Sequence, residues 1–325
     1  MKKDTRIVYM GTPDFAVPAL DKLVTDGYNV VGVVTMPDKA IGRHHEALQS
    51  SPVKKYAVAH NIPVLQPEKL KDDTFLEQLR SLQADLQIVV AFRMLPKVIW
   101  DMPQLGTFNL HAALLPQYRG AAPINWAIIN GETETGLTTF FLDENIDTGR
   151  IIRQVRVPIH ETDCAEDVHD RLMTLGADLV EETVDLIIQD KVDAIPQEQF
   201  ASNGPLLPAP KIFHETCEIH WSELTCKRAY DFIRGLSPYP AAWTTLVSPE
   251  GKETMLKIYK AQRIESKSNI QQGTQGTIDS DGKTYLRVAL CDGWIDLTEI
   301  QMSGKKRMLT TDFLRGIHIN GYKFQ

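Results

Sequence analysis

The chain has 325 residues, 43% of them hydrophobic and 24% charged, with a formal net charge of −7. That length exceeds one ordinary domain and points to two, and the composition supports a sizeable core, which excludes a disordered or low-complexity protein. The acidic balance argues against a surface that grips nucleic acid everywhere, yet residues 1–210 carry 19 Lys+Arg against 29 Asp+Glu while residues 211–325 carry 16 against 13, so the C-terminal part is mildly basic.

Arg6-Ile7-Val8-Tyr9-Met10 is a buried-strand run broken by Gly11. Thr12, Pro13 and Asp14 then read as an N-cap, a proline at the first helical position and an acid in the first turn, with the helix running to about Thr25. A second apolar run, Val30 to Val34, completes a β-turn-α-β opening typical of a Rossmann-like parallel sheet. The turn lacks GxGxxG, which disfavours a dinucleotide site. Residues 35–51 show no periodicity and read as a long exposed loop with Arg43, His44 and His45 at its centre. Ser51 opens a helix to about His60, Pro63 to Leu65 is a short strand, Asp73 to Leu82 a helix, and Leu86 to Ala91 a buried strand.

Thr107 to His111 (TFNLH) is a strand in which Asn109 and His111 share one face. Its C-terminal end, where ligands bind in open α/β sheets, carries this polar pair. Ala121 to Asn130 is a helix ended by Gly131. The acidic, turn-rich loop Asp143 to Gly149 lies between strand-like runs Leu137–Leu142 and Ile151–Val157, and can return a carboxylate to the pair. Asn109, His111 and an aspartate of that loop would then supply an amide donor, a proton-transfer group and an acid that sets the imidazole's charge and orientation. By residue type alone, polar residues at a strand end serve as loop hydrogen-bonders more often than as catalysts. None of the nine histidines forms a metal-ligand motif, and no metal is expected.

Asp163 with Glu166 three residues on reads as a capping box for a long helix to about Gln189, with His169 on a charged stripe. Pro196 to Pro210 is proline-spaced and reads as a semi-rigid linker. Beyond it come a strand-like Cys217–Trp221, a helix Thr225–Leu236 and five short β runs: Ala242–Val247, Met255–Tyr259, Gly276–Ile278, Tyr285–Ala289 and Trp294–Ile300. These predict a small barrel. Lys305, Lys306 and Arg307 make a basic tip. Cys164, Cys217, Cys226 and Cys291 read as isolated thiols, without disulfides or zinc. No signal-peptide core or membrane-length apolar run is present, so the expected compartment is the cytoplasm.

Asn109-Leu110-His111, Leu114-Leu115-Pro116, Arg119-Gly120-Ala121-Ala122-Pro123-Ile124 and Asp147-Thr148-Gly149 together resemble the signature of the 10-formyltetrahydrofolate-dependent formyltransferases. Gly11 to Ala16 and Ser51 to Lys54 narrow the resemblance to the branch that acts on methionyl initiator tRNA. It covers nearly the whole chain and is strongest from residue 6 to about 157. It implies an α/β fold: a Rossmann-like parallel-sheet catalytic domain over residues 1–195, a linker over 196–210, and an OB-like β-barrel supporting tRNA over 211–325. It implies Asn109, His111 and Asp147 as catalytic residues, with Ala113, Leu114, Leu115 and Pro116 against the 10-formyltetrahydrofolate donor and residues 92–96 lining the same pocket. A monomer is expected. The segment 35–51 is similar to a family loop that wedges against the tRNA acceptor end. This chain departs from the family pattern at Ala113, where serine is usual, and at His44-His45-Glu46, where lysines often follow the arginine.

Four readings compete. A glycinamide ribonucleotide formyltransferase shares the triad but is expected to lack the C-terminal extension. A hydrolase of 10-formyltetrahydrofolate and a sugar-nucleotide formyltransferase are served by the same three residues. A non-catalytic nucleotide- or RNA-binding module explains the α/β opening but not Asn109 and His111.

Overall fold

The structure, a computed structural model, describes residues 4–41, 47–200, 204–265 and 275–325. The chain divides into two compact units that interleave along the sequence. One comprises Met1–Gly120, Thr135–Pro158 and His169–Pro208; the other comprises Ala121–Glu134, Ile159–Val168 and Ala209–Gln325.

The first unit opens with β1 (Arg6–Gly11), whose Ile7, Val8, Tyr9 and Met10 are fully buried, as a strand covered on both faces requires. The expected helix starts late. Pro13 is extended, Asp14–Ala16 form a 3₁₀ turn, and α1 runs Val17–Thr25 with Pro18 in its first turn. Thr12 therefore caps nothing, and its Oγ1 is buried without a hydrogen-bond partner. β2 (Asn29–Val34) follows. Residues 35–51 are not a structureless loop: β3 (Lys39–Ile41) pairs antiparallel with β4 (Ala47–Gln49). Arg43, His44, His45 and Glu46 lie outside the described residues.

α2 (Pro52–Ala59) is capped as expected, with Ser51 accepting from the Lys54 N–H, a contact worth about 1 kcal/mol. β5 (Val64–Leu65), α3 (Asp73–Ser81), β6 (Leu86–Val90), α4 (Lys97–Trp100) and β7 (Thr107–His111) come next. After α5 (Pro123–Ile129), β8 (Glu134–Phe141) and β9 (Ile151–Pro158) complete a seven-stranded sheet ordered β5-β2-β1-β6-β7-β8-β9. The first five strands pair in parallel, and β8 turns antiparallel against β7.

α6 (Ala165–Ile188) is the long helix expected, but its cap is shifted by one residue. Asp167, not Glu166, accepts the Cys164 N–H, while Asp163 accepts from the His160 N–H. The Asp163 side chain thus closes the loop before the helix. In the segment read as a linker, Gln197–Phe200 form a 3₁₀ turn in the first unit.

The second unit has its own apolar core, with Ile129, Ile219, Trp221, Ile233, Leu256, Ile295 and Phe313 among the buried residues. Cys217–Trp221 is not a strand: 3₁₀ turns at Glu215–Cys217 and Trp221–Glu223 flank an isolated bridge from Glu218 to Trp243. α7 (Cys226–Leu236) is capped by Thr225. β10 (Ala242–Val247), β11 (Glu253–Glu265), β12 (Ile278–Asp279), β13 (Arg287–Leu290) and β14 (Gly293–Met302) follow. β15 (Met308–Leu309), α8 (Thr310–Gly316) and β16 (Lys323–Phe324) were not legible in the sequence. The antiparallel sheet, ordered β12-β13-β14-β11-β10-β16 with β15 on β14, makes a nearly closed barrel.

Candidate active site

Strand alternation on β7 sets Phe108 and Leu110 apart from Asn109 and His111. Leu110 faces α6, where a Cβ on Gly176 would come within 2.9 Å of its Cδ2. Asn109 and His111 therefore project from the opposite face, beside Phe140 and Thr138 of β8.

Reaching this pair takes a longer path than the sequence suggested. Phe141, the last residue of β8, lies opposite Phe108, near the start of β7. The acidic loop thus leaves from the wrong end and must travel back roughly 10 Å along β7, three residues of strand rise. Residues 143–149 cover that distance. Asp143 Oδ1 accepts from the Asn145 N–H and the Thr148 hydroxyl at 3.0 and 2.6 Å, which curls the loop. Gly149 then passes so close to β8 that a Cβ there would sit 1.6 Å from the Phe141 carbonyl oxygen, so no other residue fits without moving the backbone. Asp147, in the left-handed region at φ 54, turns its carboxylate inward.

The Asp147 Oδ2 lies 3.9 Å from His111 Nδ1 and accepts the Gly120 N–H at 2.9 Å. The imidazole is 6% exposed, and its Nε2 is 2.9 Å from the Tyr118 carbonyl oxygen. A carbonyl only accepts, so Nε2 must carry a proton. That leaves Nδ1 as the ring nitrogen not committed to the backbone, facing the carboxylate. Asn109 Oδ1 is buried with no hydrogen-bond partner. A polar atom orphaned beside a buried imidazole suits a polar ligand.

Ala113 and Leu115 are buried, and much of the 113–116 backbone is engaged within the unit. The Ala113 carbonyl accepts from the Thr138 hydroxyl, which also accepts the Leu115 N–H, and Gln154 donates to the Leu115 carbonyl. Leu114 packs on β8 where Gly136 leaves room for it. Of these four residues only Leu114 is part-exposed; Ala113, Leu115 and Pro116 are buried. In segment 92–96, Leu95 joins the core and Met94 is exposed. Arg93 Nη1 and Nη2 donate to the Glu68 and Pro67 carbonyls, while its Nε is buried without a hydrogen-bond partner. Among the described residues, no three His, Cys, Asp or Glu side chains gather as a metal-ion group.

Sequence reasoning missed the backbone partners, Tyr118 and Gly120, and the whole of Gln197. Gly120 lies inside the motif and Tyr118 just before one of its segments, but both act through main-chain atoms, which leave no mark on residue identity. Gln197 gave no signal at all.

Comparison with known proteins decides the family. A family model described as formyl transferase matches residues 5–184, and a second, formyl transferase C-terminal domain, matches 211–318. The methionyl-tRNA formyltransferase of Bacteroides fragilis is 61% identical over 318 residues, 98% of this chain and 97% of that protein. The chain belongs to the methionyl-tRNA formyltransferases. Another member of the family, from Parabacteroides distasonis, is 63% identical over 316 residues, 97% of this chain and 96% of the relative. Solved structures add the fold. WlaRD, a sugar 3N-formyl transferase solved in the presence of dTDP and 5-N-formyl-THF, aligns with a TM-score of 0.62 at 20% identity, covering 93% of this chain and 99% of that one. HypX from Aquifex aeolicus, in complex with tetrahydrofolic acid, aligns at 0.61 and 16% identity over 95% of this chain and 46% of its own.

Proposed function

We propose that the chain transfers the formyl group of 10-formyltetrahydrofolate to the α-amine of methionyl initiator tRNA, with Asn109, His111 and Asp147 as the catalytic residues. Its membership of the methionyl-tRNA formyltransferases supports the acceptor, and the buried His111–Asp147 pair carries the chemistry. The donor, when bound, supplies the activated formyl carbon. The amine must lose a proton, the folate nitrogen must gain one, and negative charge builds on the formyl oxygen between the two events.

Each residue answers one of these needs. Asn109 offers an amide N–H₂ to the oxygen from a rigid strand, where a preorganised donor is worth more than in water. His111 exchanges the proton at Nδ1, the ring nitrogen not tied to Tyr118. Asp147 faces that nitrogen at 3.9 Å, within reach of a one-water relay, and stabilises the imidazolium. The Gly120 N–H keeps the carboxylate aimed. The segment Ala113 to Pro116 supports the donor's pocket, with Leu114 part-exposed and Ala113, Leu115 and Pro116 buried behind it, and Ala113 contributes no hydroxyl to it. Residues 1–195 act as the catalytic domain, and residues 211–325 support the RNA.

The test is an acceptor comparison: formylation of charged initiator tRNA beside the same assay with an amino-sugar nucleotide and with water. Turnover with tRNA alone is expected. Efficient transfer to either small acceptor contradicts the proposal and favours the sugar or hydrolase reading.

A further inference from the structure

The Asp147 loop is held from outside the motif that contains it. Gln197 is 1% exposed and sits at the start of a 3₁₀ turn, 50 residues beyond Asp147. Its path there is fixed by β9: Ile151 and Ile195 exchange backbone hydrogen bonds of 2.8 Å in both directions, and Arg150 Nε donates to the Ala194 carbonyl. The chain then delivers the Gln197 carboxamide between groups of opposite hydrogen-bonding sense.

On one side, Arg119 Nε and Nη2 donate to Gln197 Oε1 at 3.1 and 2.7 Å. On the other, Gln197 Nε2 donates to the carbonyl oxygens of Asp147 and Gly149, both at 2.9 Å. A guanidinium only donates and a carbonyl only accepts, so the amide has one permitted orientation. Both its amide hydrogens and both its oxygen lone pairs are then used. The two carbonyls belong to the 147–148 and 149–150 peptides, so the amide pins the planes at either end of the Thr148-Gly149 pair. Asp147 is thereby kept in its left-handed conformation, which non-glycine residues leave unless their surroundings hold them. Asp143 also braces the loop, but from an exposed position where water competes for its hydrogen bonds.

We infer that Gln197 is a positioning residue for the reaction: it clamps the backbone of the Asp147 loop so that the carboxylate stays at His111, and Arg119 locks the orientation of the clamp. The inference rests on the role proposed above for Asp147. Gln197 acts only through that residue.

The test is a double-mutant cycle. Gln197→Ala and Gln197→Glu are made in the wild-type chain and in Asp147→Asn, and kcat and both KM values are measured with the donor and charged initiator tRNA. In the wild-type background, Gln197→Ala lowers kcat about ten- to hundredfold, the scale of a 1 Å misplacement. KM for either substrate changes by less than about twofold. Gln197→Glu matches the glutamine in size and keeps an oxygen for Arg119, but it sets an acceptor against two carbonyls, so its kcat falls at least as far. In the Asp147→Asn background, adding Gln197→Ala costs less than about twofold more. Equal losses in both backgrounds, or a wild-type kcat for Gln197→Glu, overturn the clamp. Should Asp147→Asn alone retain wild-type kcat, the role of Asp147 fails first and the clamp with it.

Discussion

Asn109 has a buried Oδ1 without a partner, on the same strand face as an imidazole whose other nitrogen is already committed to Tyr118. An unsatisfied amide is tolerated where a ligand completes it. Oδ1 only accepts, so the donor assigned to the formyl oxygen is the other end of the same amide, Nδ2; Asn109→Ala should lower kcat by about 10²-fold, the usual effect of removing one donor to a developing oxyanion. KM for methionyl-tRNA should hardly move, and steady-state kinetics with both substrates varied would show it. The Asn109–His111 pair was legible because strand alternation is a local rule that needs no knowledge of the rest of the fold. Asp147 was reachable only through the resemblance, because it depends on a loop that travels back along a reversed strand. Gln197 was invisible: one glutamine in a proline-spaced stretch carries no pattern, and its function arises from what two distant segments place around it.

The sequence located the elements better than their ends. β7, α2 and α7 fall where capping and alternation predict. α1 starts after a 3₁₀ turn because Pro13 is extended, and β15, β16 and α8 are too short or too weakly patterned to read in advance. Two predictions belong at this scale. Gly149→Ala forces a methyl onto the Phe141 carbonyl and should destabilise the chain by about 1–3 kcal/mol in a urea titration, while also displacing Asp147. In the second unit, α7 carries Asp231, 2% exposed, bound to Arg234 and Lys227, and Arg234 Nη1 donates to the carbonyls of His160 and Asp163. Asp231→Ala strips a buried guanidinium of its counter-charge and should cost about 3–5 kcal/mol, again by urea titration. The first residue of the same helix, Cys226, shows how local effects are overridden. A helix start ordinarily eases thiol ionisation, yet burial and the neighbouring Asp292 push this thiol up to about 12.

For the molecule as a whole, the acidic N-terminal and mildly basic C-terminal parts frame the question of how an RNA is held. No helix among the described residues is long and apolar enough to cross a membrane. The basic tip at 305–307 is smaller than its sequence suggests. Arg307 is engaged by Glu299 at 2.5 and 2.9 Å and stacks over Tyr259, which holds the Glu299 carboxyl below its ordinary value. Among the described residues, Lys305 and Lys306 form no ion pair. If they contact the RNA backbone, changing both to alanine should weaken tRNA binding and flatten its salt dependence by about one unit of slope per lost contact. Arg307→Ala should leave that slope nearly unchanged, and binding titrations across a salt series separate the two outcomes. The most direct test of the central claim is the rate of formyl-methionyl-tRNA formation with both substrates saturating, compared between the wild-type chain and Asp147→Asn. If His111 and Asp147 manage the proton, that rate falls by about 10²-fold or more while the donor's KM stays within about twofold. An unchanged rate, or a loss confined to the donor's KM, would contradict it.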